Sequence, residues 1–417
     1  MRNLQNAAWL YLGRSIKDIG HIDQLISWCI RNNVAKLLLQ FSPMDLKTRS
    51  EHANNSRIKI IDALVDKCTE NNIEVHGMIS TLLSITQDKN SLPLQGKNHY
   101  CVDYHGISNW EEPLGGRGFL FDPTSDGVKT LVANYCSDIL KTFNKLSGIH
   151  LDFIRYFYYD SILDINTKNA GQLILILKEG YPIKLEMADG SKTTYFIEKV
   201  ENSYMDPPIG KSVVLRRRCY FCFCDRCLEL FQEHSKIKIP GELKTTNEKA
   251  KWILSNCQVS WDKFHADTIT NLVRCIKTSI CSVKSDAQLS AAIWYNSPYG
   301  NELRNEPLSP SSEYKHFGQE WWKWADEGLV DFLCPMDYWL SPENYKDVVT
   351  KQLKKIKRKI PMYFGLLRTD EYSISANRLD EYKNIVMDIN IHTQNSISDQ
   401  KNNGICYFHY DTWKDIT

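Results

Sequence analysis

The feature that most constrains the fold is the recurrence of eight short runs rich in β-branched and aromatic residues. They are Ala7 to Gly13, Val34 to Phe41, Ile73 to Ser80, Gly148 to Tyr156, Gln288 to Tyr295, Leu329 to Trp339, Ile360 to Leu367 and Gly404 to Trp413. Stretches with apolar residues near every third or fourth position separate them, among them Ile22 to Asn32, Arg57 to Asn71, Gly127 to Lys145, Ser260 to Ser282, Glu343 to Lys359 and Ala376 to Ile391. Such alternation is the signature of βα units on a parallel sheet, and eight of them predict an α/β fold, a (β/α)8 TIM barrel whose active site is built by loops at the strand C-termini.

Two segments depart from a plain barrel. The gap between the fourth and fifth runs is too long for one loop and one helix. Within it QLILILKEG, YPIKLEMADGSKTTYFIEKV and KSVVLRRR read as three or four antiparallel strands with a hairpin turn at Asp189-Gly190. The expected organisation is therefore 1–160 as the first half of the barrel, 161–218 as a small β-rich insertion between strands 4 and 5, and 219–417 as a cysteine cluster and the second half. Ser84 to Asp122, with Gly, Pro and aromatics and no clear period, reads as a long loop of the active-site face. Gly115-Gly116-Arg117-Gly118 falls in that loop rather than between a strand and a helix, which argues against phosphate binding. Only Lys414 to Thr417 follow the eighth run, too few residues for an eighth crossover helix.

Composition removes whole classes of function. With 417 residues, 42% hydrophobic and 24% charged, the chain can bury a full core, and its formal charge of +1 argues against a nucleic-acid partner. No apolar run reaches a membrane span: the longest, near Val34 to Phe41, is broken by Lys36. The start shows no apolar signal region, and most of the 13 cysteines lie singly in apolar stretches, as buried free thiols do. A cytoplasmic location is expected, unless the chain is the processed form of a secreted protein. Oligomeric state is not legible. Eleven Trp and 21 Tyr exceed what packing needs, or serve it, and could also line a sugar cleft.

The chemistry concentrates in two strands. GIHLDFIRYFYYD, residues 148 to 160, is a buried strand punctuated near its end by His150, Asp152 and Arg155; LVDFLCPMDYW, residues 329 to 339, carries Asp337 beside Tyr338 and Trp339. Charges in buried strands are costly unless paired or functional. Two carboxylates ringed by aromatics are the minimal kit for glycosidic cleavage, with Asp152 as nucleophile or stabilising anion, Asp337 as general acid/base, and Arg155 holding Asp152 ionised. A supporting Asp152–Arg155 ion pair is the alternative. If both acids work, their carboxyls should lie about 5–9.5 Å apart in the barrel mouth. Tyr156, Trp294, Tyr295, Tyr338, Trp339, His409 and Asp411 are the candidate substrate-binding residues, whereas His76 reads as a core histidine, and Trp321 and Trp324 as the packed face of a helix.

These motifs resemble a known family. GIHLDFIRY, the Asp-Pro of FDPTSDGVKTLV from Phe121, FCFCDRCLELF at 221 to 231, GLVDFLCPMDYW and FHYD at 408 to 411 are similar, in order, to the glycosyl-hydrolase-like family 10 and its TIM-barrel relatives. The resemblance implies a glycoside hydrolase, with Asp152, Arg155, Asp337 and Asp411 as site residues. The sequence departs from the pattern at Phe157, where proline is usual, and in the β insertion. A non-catalytic carbohydrate-binding protein on the same barrel is the alternative.

The remaining motif is Cys219-x-x-Cys222-x-Cys224-x-x-Cys227. Structural zinc favours C-x-x-C pairs but usually joins two distant ones. Free thiols at the foot of a helix Leu228 to His234 are therefore expected, with no cofactor, and structural zinc on these four is the alternative.

Overall fold

The computed structural model describes residues 4–13, 16–42, 45, 55–86, 88–113, 118–166, 182–186, 190, 192–202, 211–294, 317–368, 374–394 and 403–415. In chain order the first half is β1 (Asn6–Leu10), α1 (Gly20–Arg31), β2 (Val34–Gln40), α2 (Ser56–Glu70), β3 (Glu74–Ser80), α3 (Asp126–Thr142) and β4 (Gly148–Asp152). The inserted strands are β5 (Tyr158–Asn166), β6 (Pro182–Glu186), β7 (Lys192–Asn202) and β8 (Lys211–Tyr220). The second half is α4 (Asp225–Ser235), α5 (Thr246–Asn256), α6 (Gln258–Val283), β9 (Gln288–Ile293), α7 (Trp321–Asp326), β10 (Phe332–Pro335), α8 (Pro342–Lys355), β11 (Tyr363–Leu367), α9 (Ala376–Gln394), β12 (Gly404–Phe408) and the single turn α10 (Tyr410–Trp413).

The eight long-range strands pair in parallel in the order β10-β9-β4-β3-β2-β1-β12-β11. A parallel bridge between Leu333 and Met362 joins the two ends, with Leu333 N–H donating to the Pro361 carbonyl at 3.2 Å. The sheet is thus a (β/α)8 barrel with each of the eight predicted runs supplying one stave. Alternation splits every stave between two cores. Ala7, Trp9, Leu38, Met78, Ala292, Phe332, Cys334, Tyr363 and Cys406 fill the interior, while Leu37, Leu39, Ile149, Leu151, Leu333, Phe364 and Ile405 face the helices. Because both faces are buried, the staves read as nearly continuous apolar runs. Two staves begin on glycine for a steric reason: a Cβ at Gly148 would lie 2.0 Å from the Gln288 carbonyl oxygen, and one at Gly404 1.8 Å from that of Gln5.

Polar groups inside the barrel pair with one another across staves. Burial pushes His150 down to about 3, so the ring stays neutral, contacting Ser290 Oγ at 2.9 Å and accepting the Trp9 indole N–H at 3.3 Å. His76 is the expected core histidine, fully buried and 3.3 Å from Glu74, which also holds Lys36. Trp321 and Trp324 are fully buried packing residues.

The insertion is a four-stranded antiparallel sheet in the order β5-β8-β7-β6. Its own small core is Tyr195, Ile197, Val213 and Leu215, with Leu163, Ile183 and Leu185 against it. Gly190, in the expected hairpin turn, adopts φ +79, which suits glycine. QLILILKEG lies outside the described residues. The sheet is fastened to the long loop after β3: Arg217 bonds Glu112 at 3.1 Å and approaches Asp103 at 3.6 Å, Thr194 bonds Glu112, and His105 stacks on Phe196 at 3.6 Å. That loop is itself drawn together where Leu83–Ser84 pairs with Phe119–Leu120.

Candidate active site

Asp152 ends β4 with the parity of His150, so its side chain points into the barrel at the C-terminal mouth. Its Oδ1 accepts the Phe153 N–H at 2.7 Å, and Phe153 itself sits at φ +53, turning the chain sharply off the strand. This turn lets Arg155 fold back, bringing Nη1 to 3.9 Å from Asp152 Oδ1. That is an electrostatic contact rather than a hydrogen bond. The guanidinium lies among the rings of Phe153, Phe157 and Trp294, at 4.7, 5.6 and 5.9 Å. Among the described residues Nη1 has no hydrogen-bond partner. Burial raises Asp152 above the ordinary carboxylate range, while Arg155 and the Phe153 N–H oppose the rise. The carboxyl keeps 17% of its side-chain surface open to solvent and the guanidinium 10%, so both can meet a ligand.

An aromatic wall stands beside this pair. Trp294 follows β9, its N–H bonded to the Gln319 side chain at 2.8 Å, and its ring meets Tyr338 and Trp339 edge-on, both at 6.4 Å. Gln319 also donates to the Ile154 and Ala292 carbonyls, closing the ends of two neighbouring staves. Tyr338 is half-buried against Phe408, and its buried hydroxyl has no hydrogen-bond partner among the described residues. Trp339 is 41% exposed at φ +60, an unusual place for a bulky residue. Beyond β12, His409 packs edge-on to Tyr11, and its Nδ1 approaches Asp411 Oδ2 to 3.2 Å. Neither Asp411 oxygen accepts a hydrogen bond from a described residue.

Three sequence expectations need correction or delimiting. Asp337 does not share the mouth with Asp152. It has the parity of Leu333, which faces the helices, and its carboxyl is buried beneath α8, where the Gln352 amide donates to Oδ1 at 2.7 Å. Burial pushes it up to about 7, with the Gln352 bond opposing. Tyr156 is not at the mouth either: it is fully buried on the helix side, stacked on His265 at 4.1 Å. Tyr295 lies outside the described residues. The structure therefore gathers Asp152, Arg155, Trp294, Tyr338 and Trp339 at one side of the mouth and His409 and Asp411 after β12, with Tyr11 added by the fold.

The cysteine motif is rearranged as well. Cys222, Cys224 and Cys227 converge, but their fourth neighbour is Asp122 from the loop after β3, and Cys219 is not part of the group. Asp122 is the Asp of the Asp-Pro motif, but no spacing ties it to the cysteines, and Tyr11 carries no motif at all, because the barrel brings each from a distant stave.

No family model and no curated protein sequence matches the chain. Solved structures do. The catalytic domain of a β-amylase from Paenibacillus polymyxa superposes with a TM-score of 0.54 at 9% identity, covering 100% of this chain and 98% of its own. The cold-adapted β-galactosidase of Rahnella sp. R3 gives 0.53 at 10% identity, with 98% and 50% covered, and the catalytic mutant of Gan42B, a GH42 β-galactosidase from G. stearothermophilus, gives 0.53 at 9%, with 98% and 52% covered. The chain thus spans about half the length of these β-galactosidases. At such identities the likeness establishes the shared barrel fold.

Proposed function

We propose that the chain is a glycoside hydrolase of the glycosyl-hydrolase-like family 10 type, acting on a polysaccharide or glycoconjugate laid across the barrel mouth. The observation that carries this reading is the Asp152–Arg155 pair, largely desolvated yet still open to the mouth beside the Trp294, Tyr338 and Trp339 wall. Aromatic faces take sugar rings, and a carboxylate at the mouth can attack or stabilise an oxocarbenium-like centre. In this reading Asp152 serves the anomeric carbon, Arg155 preserves its charge against burial, and Asp411 with His409 supplies the second carboxylate and a proton carrier. Asp337 acts through the packing of α8. The activities named for the similar barrels, β-galactosidase and β-amylase, support a glycosidic substrate. The buried thiols of Cys29, Cys68, Cys136, Cys334 and Cys406, none in a disulfide, support the cytoplasm as the compartment. Among the described residues no helix is long and apolar enough to cross a membrane.

The outward turn of Asp337 favours a second reading, in which the same mouth binds carbohydrate without cleaving it. One experiment separates them. A glycan panel is scored for both binding and reducing-end release, with wild type and Asp152→Asn. Release that falls by about 10²-fold or more in the variant, with binding kept, supports the hydrolase. Binding without release on any ligand establishes the binding protein, and equal release by both proteins removes Asp152 from the chemistry.

A further inference from the structure

We propose that Asp122, Cys222, Cys224 and Cys227 form a structural zinc site that fastens the mouth loop to the chain leaving the inserted sheet. The four ligand atoms lie within 4.8 Å of one another and come from two segments far apart in sequence. A tetrahedral zinc with bonds of about 2.3 Å to sulfur and about 2.0 Å to oxygen requires ligand separations of about 3.8 Å between sulfurs and about 3.5 Å between sulfur and oxygen. Cys224 Sγ stands 3.2 Å from Asp122 Oδ2, and Cys227 Sγ 3.7 Å from Oδ1, so the carboxylate already lies at about the sulfur–oxygen separation that such a site needs.

The surroundings suit thiolates. Backbone N–H groups point at two of the sulfurs, Val102 at Cys222 at 3.3 Å and Cys227 at Cys224 at 3.4 Å, and Cys224 is the N-cap of α4, at the positive end of that helix. Asp122 is oriented by Thr124, whose N–H and hydroxyl bond Oδ1 at 2.9 and 2.7 Å, and by Arg226, which bonds Oδ2 at 2.5 Å. Three thiolates and a carboxylate carry four negative charges; zinc and the Arg226 guanidinium offset three of them, and the helix end faces the remainder. Binding is redox-neutral: each thiol gives its proton to solvent as its sulfur takes the metal. Soft thiolate donors select zinc over calcium or magnesium, and four protein ligands leave no position for a reacting water. Cys101 bonds the Phe121 carbonyl at 3.4 Å and stands outside the four, as does Cys219.

The test is metal analysis of the full-length chain, followed by cobalt(II) titration of protein stripped by chelator. Expected are about one zinc per chain, a thiolate-to-cobalt charge-transfer band saturating at about one equivalent, and a lowered melting temperature after stripping. Cys224→Ser and Asp122→Asn should lose the metal, and Cys219→Ser and Cys101→Ser should keep it. The wild-type titration decides the case even if a variant fails to fold. Absence of both zinc and the cobalt band in wild type overturns the site. Retention of metal by Asp122→Asn, or its loss in Cys101→Ser or Cys219→Ser, overturns the donor set.

Discussion

Gln352 on α8 donates its amide to the Asp337 carboxyl at 2.7 Å, deep in the layer between barrel and helix. This one bond places on the helix side a carboxylate whose sequence setting, beside Tyr338 and Trp339, suggests the mouth. It also makes Asp337 a pH-sensitive element of stability. Burial raises its pKa to about 7, above the ordinary value of about 3.9 in an unfolded chain. Between those values the folded state holds a proton that the unfolded state has released, so stability falls as pH rises through the window, by at most about 1.4 kcal/mol per pH unit, and levels off above it. Asp337→Asn cannot ionise. Its denaturant midpoint should therefore fall less than that of wild type from pH 4 to pH 8, and its glycan turnover should stay within about threefold of wild type. A loss of about 10²-fold or more would return Asp337 to the chemistry.

The Asp152–Arg155 contact predicts a shift in a pH-rate profile. Burial and Arg155 act on Asp152 in opposite directions, burial upward and the guanidinium downward. Arg155→Met removes the cation and keeps the bulk, so the carboxyl should ionise at higher pH. If turnover requires ionised Asp152, the acidic limb of kcat/KM should move up by about one to two pH units. A limb that stays in place would show that Arg155 serves packing against Phe153 and Phe157 alone.

Trp339 combines exposure with a left-handed backbone at φ +60, a conformation that costs a bulky residue on the order of 1 kcal/mol. Trp339→Gly relieves the backbone and removes the ring. The expected result is an unchanged or raised melting temperature together with a KM raised about tenfold and a smaller change in kcat, as loss of a stacking platform requires. A matching fall in stability would assign the indole to the core instead.

The eight staves were legible because each is a short apolar run set off by amphipathic stretches, a unit that the barrel repeats around its ring. The direction of individual side chains was not. A stave buried on both faces shows no polar alternation, so FLCPMD gives no hint that Phe332 and Cys334 turn inward while Asp337 turns outward. The first inserted strand, Tyr158–Asn166, was hidden because it follows Phe157 with no Gly, Pro or Asn to mark a break. Strand spacing also misled at the cysteines: Cys219 lies within β8, whereas Cys222, Cys224 and Cys227 curl around the start of α4. Asp122 joins them only because the loop after β3 crosses that helix end, a relationship no local pattern records.

Arg217 is where the insertion meets the barrel, and its removal should show how far the mouth loop depends on it. The guanidinium is almost fully buried, 3.1 Å from Glu112 and 3.6 Å from Asp103, and Asp103 is pushed up to about 7 by burial that Arg217 opposes. Arg217→Met would leave two carboxylates facing each other in a dry site, a loss of about 3–5 kcal/mol for a broken buried pair. The destabilisation should be smaller at pH 5 than at pH 8, because Asp103 can take up a proton at the lower pH and shed its charge. Hydrogen exchange should quicken in residues 97–113 and in β7 and β8, while β11 and β12, opposite β3 and β4 in the barrel, keep their protection. Uniform quickening across the barrel would mean instead that the inserted sheet and the staves unfold as one unit.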